Sequence, residues 1–295
     1  MSVLDDRSAI VSSFEQCQYV LDDELATIIF LMQKLGKPLL LEGNPGVGKT
    51  SVASVLARCL DTPLVRLQCY EGLDVNSAVY EWNYQRQLLS IKIQENASRS
   101  EEEKEAHIFG KEFLLERPLL KAISATDKAP VLLIDEVDRA DEEFEAFLLE
   151  LLSEYQISIP EMGTIKAVHK PLVVLTSNRT RELSDALKRR CLYHWIDYPN
   201  FEKEVSIVLH HRPDVDEDLA RSVVKVVQYL RDTKLLKVPG VAETLDWVNG
   251  LVALGYHELS VGGMNETLGC LLKSTDDIEK VRQAGIEQII ESTRA

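Results

Sequence analysis

Apolar residues in this chain follow two rhythms. Short, nearly unbroken runs occur in KPLLLE (Lys37–Glu42), TPLVRLQ (Thr62–Gln68), PVLLID (Pro130–Asp135), PLVVLT (Pro171–Thr176) and YHWID (Tyr193–Asp197), and each predicts a β-strand. The PVLLID run is too uniformly apolar to leave one face in water. Between these runs apolar residues recur at helical spacing. Leu21, Leu25, Ile28, Ile29, Met32 and Leu35 form one such stripe, ended by Gly36, and residues 50–60 predict another helix. A further helix opens at Asp141, a good N-cap, and sets Phe144, Phe147, Leu148, Leu151, Leu152 and Tyr155 on one face. Gln156 to Lys170, with Pro160 and Gly163 between short apolar stretches, predicts a β-hairpin. Strands alternating with helices imply an α/β fold with a parallel five-stranded sheet. Beyond Pro199 strand signals stop and helical patterns continue. The expected division is an α/β domain over 1–199 and a small α-helical domain over 200–295. A polar stretch from about Gln85 to Lys111, including EEEKE at 101–105, reads as a solvated face or an insertion near 83–115.

Charge sharpens this picture more than composition does. With 45% hydrophobic and 27% charged residues the chain is not of the disordered class. Asp and Glu number 48 against 33 Lys and Arg, giving a net charge of −15. An acidic surface repels phosphate backbones and anionic lipids, which argues against nucleic acid or a membrane as partner. The five cysteines (Cys17, Cys59, Cys69, Cys191 and Cys270) show no C-x-x-C spacing, as expected of thiols in a reducing compartment. Asp5 and Asp6 stand where a leader peptide would be basic, and no apolar run approaches the ~18 residues of a membrane span, so a cytoplasmic protein is expected.

The candidate chemistry begins where the first strand ends. Gly43, Asn44, Pro45, Gly46, Val47, Gly48, Lys49 and Thr50 fit G-x-x-x-x-G-K-[ST] between a predicted strand and a predicted helix, with Ser51 next in the binding set. Glycines let backbone N–H groups curl around an anion, and the helix N-terminus adds its positive end. Lys49 suits the β- and γ-phosphates of ATP, and the Thr50 hydroxyl suits Mg²⁺. Asp135 and Glu136 end a buried strand: the first is placed to hold Mg²⁺, the second to polarise an attacking water. Asn178 tips the next strand and offers an amide that donates and accepts at once. A basic helix, LSDALKRR, ends in Arg189 and Arg190, either a salt-bridged solvated face or a source of transition-state charge for a neighbouring subunit.

The order of these parts resembles that of the AAA+ ATPases, a P-loop NTPase family. The wording around them resembles the MoxR branch, in particular the carbon-monoxide dehydrogenase maturation ATPases. LEGNPGVGKT, CYEGLDVNSAVYEWNYQRQLL, LLIDEVDRADEEFEAFLLELL, ISIPEMGTIKA, TSNRTRELSDALKRRCLYHWIDYP and VPGVAETLDW carry it. The resemblance implies a helical lid and a ring, usually hexameric, with ATP between neighbours. It implies sensor-1 at Asn178 and a trans-acting arginine finger in the Arg189–Arg190 pair, Arg190 first because the family's finger ends that helix. It also implies chaperone-like remodelling of a protein client, often a metalloenzyme, with a von Willebrand factor A domain partner. One departure stands out: where many lids present a sensor-2 arginine, this chain has Glu243, leaving that cation to Lys234, Lys237 or a neighbouring subunit. Tyr80, Trp82 and Tyr84 alternate as on a strand, which fits packing and also client contact. Two rival classes are a nucleic-acid motor or loader and a slow nucleotide-gated scaffold.

Overall fold

The computed structural model describes residues 6–94 and 107–294, and the acidic run at 101–105 falls outside the described residues. The strands in chain order are β1 (Leu39–Gly43), β2 (Leu64–Gln68), β3 (Tyr80–Trp82), β4 (Leu114–Glu116), β5 (Val131–Asp135), β6 (Gln156–Ile159), β7 (Gly163–Lys166), β8 (Leu172–Ser177) and β9 (Leu192–Ile196). Five of them form one sheet in the order β2-β5-β8-β1-β9. The registers of β1, β2, β5 and β8 are parallel, pairing Leu64 with Val131, Val131 with Leu172, and Leu39 with Val174. Every residue of β1 and β5 is buried, as their unbroken apolar runs require of strands covered on both faces. On β2, at the sheet edge, burial alternates: Val65 and Leu67 point inward, while Leu64, Arg66 and Gln68 are exposed. Because β1, β5 and β8 run parallel, Glu42, Asp135 and Ser177 come to one edge of the sheet.

The chain divides into two compact units. The first comprises Glu24–Glu42 and Leu56–His194, with the described residues up to Arg7; the second comprises Ser8–Asp23, Gly43–Val55 and the chain from Trp195 onward. In the first unit the helix Glu142–Glu154 starts at Asp141, whose side chain accepts the Phe144 N–H, and buries Phe144, Leu148, Leu151 and Leu152. Tyr155, in the left-handed region at φ 50°, ends it and turns the chain into the β6–β7 hairpin. β3 pairs antiparallel with β4, and Trp82 packs edge-on against Tyr80 and Phe109.

In the second unit the helices Phe201–His211, Glu217–Arg231, Val241–Ala253, Val261–Leu271, Thr275–Ala284 and Ile286–Arg294 surround Trp247. The Trp247 indole is fully buried and donates to Thr267 Oγ1 at 2.7 Å. A buried ion pair crosses this core: Arg231 Nη1 and Nη2 reach Glu204 at 2.6 and 2.7 Å, with Thr244 and Gln228 filling the remaining acceptor sites of the carboxylate. A buried charge pair is tolerated when its lone pairs are satisfied in this way. Among the described residues no helix is long and apolar enough to cross a membrane.

Candidate functional site

In the second unit the loop after β1 is shaped by its glycines. A Cβ on Gly43 would stand 2.2 Å from the Ile196 carbonyl oxygen, so no side chain fits. Gly46 sits at φ +77°, where a side chain is strained, and its own carbonyl accepts the Val241 N–H at 3.0 Å. The helix Lys49–Cys59 follows directly. Lys49 is 6% exposed and its Nζ donates to the Gly43 and Asn44 carbonyls at 2.8 and 2.7 Å, folding the ammonium into the loop. Val47 is buried and Thr50 half-buried, while Pro45 and Ser51 are exposed. Gly48 lies beside the Tyr19 ring, whose hydroxyl is held protonated far above its ordinary range, first by burial and then by Asp22.

Glu243 has a local role in the same unit. Its Oε2 accepts the Gly240 N–H at 3.0 Å, reaching back over the first turn of the helix Val241–Ala253. That oxygen is 3.0 Å from where a Gly46 Cβ would be. Asn44 and Pro45 line a cleft of about 870 Å³ with Tyr198, Arg231, Lys237 and Glu243. Arg231 is committed to Glu204, and Lys237 makes no side-chain hydrogen bond or ion pair among the described residues. Lys237 is held by its backbone: Asp277, 1% exposed, accepts the N–H groups of Leu236 and Lys237 at 2.8 and 3.0 Å.

In the first unit the acidic ends of the strands form a network. Asp135 is buried; its Oδ1 accepts the Thr176 hydroxyl at 2.6 Å, and its Oδ2 accepts Arg66 Nε and Nη2 at 3.0 and 2.5 Å. The Thr176 oxygen in turn accepts the Glu136 N–H at 2.9 Å, so one hydroxyl sets the spacing of both acids. Glu136 adopts φ 55° and ψ 49°, a left-handed conformation that is costly for a residue with a Cβ and that ends the strand abruptly. Its carboxylate accepts Gln68 Nε2 at 3.1 Å, Arg139 Nη1 at 3.2 Å and Asn178 Nδ2 at 3.4 Å. Asp138 holds the loop that carries Asn178 by accepting the Asn178 and Thr180 N–H groups at 3.2 and 2.8 Å and the Thr180 hydroxyl at 2.7 Å. Asn178 and Glu136 are therefore brought together.

Carboxylates gather at this edge, with Arg66, Arg139 and Arg179 beside Asp135, Glu136 and Glu42. Burial pushes the Cys69 thiol up to about 12, with Asp135, Asp138 and Glu136 adding to the effect. Glu42, 4% exposed, adds a further carboxylate, bonded by Ser177 at 3.3 Å and Tyr193 at 3.1 Å. Magnesium is a hard cation that prefers oxygen donors, and Asp135 is the carboxylate here that would serve it.

The basic helix Asp185–Arg190 begins at Ser184, whose side chain accepts the Leu187 N–H. Arg190 is tied down within the chain: Nε donates to Ser153 Oγ at 2.8 Å and Nη1 to the Ala186 carbonyl at 3.1 Å. Arg189 is exposed and makes no side-chain hydrogen bond or ion pair among the described residues. Of the three alternating aromatics, Trp82 is buried, Tyr80 half-buried, and Tyr84 exposed at the start of the helix Tyr84–Gln94.

Sequence reasoning missed Arg66 and Gln68 on β2, the bridging role of Thr176, and Asp138. The available signal for the first two was two polar residues alternating through an otherwise apolar run, which put both on the same face.

Comparison with known proteins bears on the family and the fold. The chain is 30% identical over 210 residues to an uncharacterized protein of Staphylococcus aureus (strain bovine RF122 / ET3-1), and 29% identical to its counterpart in strain NCTC 8325 / PS 47. Each match covers 69% of this chain and 65% of the relative, so the chain spans less than two thirds of their length. Among solved structures, two Thermotoga maritima RuvB variants superpose with TM-scores of 0.50 at 17% identity. One covers 86% of this chain and 69% of RuvB, the other 99% and 81%, a likeness of fold. The profile of the family described as AAA domain (dynein-related subfamily) matches residues 38–191. That match takes in more than half of the chain, from β1 through the basic helix, and the protein belongs to this AAA family.

Proposed function

We propose that the protein is a magnesium-dependent ATPase that works as a MoxR-type ring, hexameric by resemblance, and remodels or matures a protein client. The observation that carries the ATPase reading is the pairing of Asp135 and Glu136 through one buried Thr176 hydroxyl, with Asn178 directed at the Glu136 carboxylate. In this reading Lys49 leaves the loop carbonyls to neutralise the terminal phosphates, while loop N–H groups from Gly46 to Thr50 donate to them. Asp135 and Thr50 would hold magnesium, which when bound would supply positive charge against the phosphate oxygens. Glu136 accepts a proton from the attacking water, and Asn178 orients that water beside it. A trans-acting arginine completes the charge balance. Arg189 suits that task better than Arg190, because the Arg190 guanidinium is engaged within its own protomer.

A protein client is favoured over nucleic acid by the net charge of −15 and by the helix Tyr84–Gln94. That helix turns Tyr84, Leu88, Leu89 and Ile93 outward, each 59% exposed or more, while Gln87 is buried against the body. Large apolar side chains turned outward on one helix are expected of a surface that meets another protein. The von Willebrand factor A domain partner and a metalloenzyme client rest on the sequence resemblance. The test is magnesium-dependent phosphate release from ATP by the purified protein, compared with Lys49→Ala. Wild-type turnover that persists undiminished in Lys49→Ala, or turnover absent with and without a candidate partner, sinks the ATPase reading.

A further inference from the structure

The edge strand β2 carries a cation that the nucleotide-handling residues do not account for. Arg66 lies in a run whose exposed positions, Leu64, Arg66 and Gln68, share one face. Its guanidinium places both Nε and Nη2 on the same oxygen, Oδ2 of Asp135, at 3.0 and 2.5 Å. The other oxygen, Oδ1, is held by the Thr176 hydroxyl, which is 1% exposed and fixed in the sheet. The two partners differ in freedom: the Arg66 side chain is 52% exposed, whereas Asp135 is 3% exposed. Arg66 is therefore the partner able to leave. Its Nη2 also donates to Gln68 Oε1 at 2.6 Å, and Gln68 Nε2 donates to Glu136 Oε2 at 3.1 Å. A single polar chain thus runs from Asp135 through Arg66 and Gln68 to Glu136.

We propose that Arg66 is a built-in counter-cation that occupies Asp135 when metal is absent, so that magnesium must exchange with it, and that Arg66 thereby sets the protein's magnesium requirement. A buried carboxylate without a positive partner is costly, and a fixed guanidinium beside a divalent cation is repulsive. Both conditions are met if one positive charge replaces the other. Exchange also removes the donor that holds Gln68 Oε1, so the Gln68 contact to Glu136 loosens as the site loads. Arg66 is in this sense a positioning residue, acting through Asp135. The inference rests on the ATPase reading above, because magnesium is taken up with the nucleotide.

The experiment is binding of a fluorescent ATP analogue to wild type, Arg66→Ala and Arg66→Lys, titrated with magnesium from an EDTA baseline. Removing a competing charge-assisted pair of this partly exposed kind lowers the half-effective magnesium concentration roughly five- to tenfold in Arg66→Ala, with Arg66→Lys in between. Affinity in EDTA, where no metal takes part, changes less than about twofold. Melting curves in EDTA establish that the variants are folded. If Arg66→Ala does not fold, a fall of about twofold or more in Arg66→Lys carries the same conclusion. An unchanged or raised magnesium requirement in a folded variant, with wild type binding the analogue, overturns the inference and leaves the ATPase reading standing. Failure of wild type to bind at any magnesium concentration overturns both.

Discussion

Thr176→Val removes one oxygen and keeps the shape of the side chain. The hydroxyl is 1% exposed and serves twice, donating to Asp135 Oδ1 at 2.6 Å and accepting the Glu136 N–H at 2.9 Å. A hydrogen bond to a charged group contributes about 1.5–3 kcal/mol, and a neutral buried one about 1 kcal/mol. The loss for the pair is about 2–4 kcal/mol, since the added methyl returns only part of it. Thr176→Ser keeps the oxygen and loses a buried methyl, which costs about 1 kcal/mol. Urea unfolding followed by tryptophan fluorescence ranks the three proteins, with Trp82 reporting on the first unit and Trp247 on the second. The expected order is wild type, Ser, then Val, with the loss confined to the transition of the first unit if two transitions resolve. ATP turnover falls more steeply than stability in Thr176→Val, because the spacing of the two acids is set through that oxygen. A Val variant as stable as Ser and as active as wild type refutes the claim that Thr176 organises the pair.

Arg189→Ala binds ATP about normally and loses most of its turnover, roughly 10³-fold or more if it acts as other arginine fingers do, while Arg190→Ala is milder. Mixing Arg189→Ala with Lys49→Ala restores part of the activity by joining one intact pocket to one intact finger; a dead mixture in rings shown to be mixed, or a normal Arg189→Ala, contradicts the trans role. Burial pushes the Cys69 and Cys191 thiols up to about 12 from the ordinary value of 9.0, so the folded state keeps their protons longer than the unfolded one. Their contribution is present in full below pH 9.0 and is lost as pH rises from there toward about 12. Both thiols therefore resist alkylation at pH 8 in the folded protein, and rapid labelling of either, read by mass spectrometry, contradicts the burial seen here.

The sheet was legible because its central strands are buried on both faces. KPLLLE and PVLLID could hardly be anything else, and β1 and β5 are buried at every position. The P-loop was legible because its glycines, lysine and threonine have fixed spacing in a strand–loop–helix context. Other features were hidden by distance along the chain. Arg66 meets Asp135 across 69 positions, and Asp138 meets Thr180 across 42, which no local pattern records. β4 is three residues long and pairs with β3 from the far side of the charged stretch, so no periodicity announces it. The alternation of Tyr80, Trp82 and Tyr84 suggests one continuous strand. Asn83 breaks it by accepting the Arg86 N–H at 3.0 Å, and Tyr84 begins a helix. Glu243 was visible as a departure from the sensor-2 pattern, but its part in capping its own helix beside Gly46 depends on loop geometry that the sequence does not display.

The most direct test of the central claim is a single-turnover experiment with radiolabelled ATP on wild type and Glu136→Gln in magnesium. The substitution keeps the size of the side chain and its capacity to accept from Gln68 and Arg139, and it removes the basic carboxylate. The account predicts that wild type converts bound ATP to ADP, whereas Glu136→Gln binds ATP with similar affinity and retains it as ATP at least about 10²-fold longer. ADP appearing in Glu136→Gln at the wild-type rate would show that another group takes the proton, and the assignment of this acidic edge as the hydrolytic centre would be contradicted.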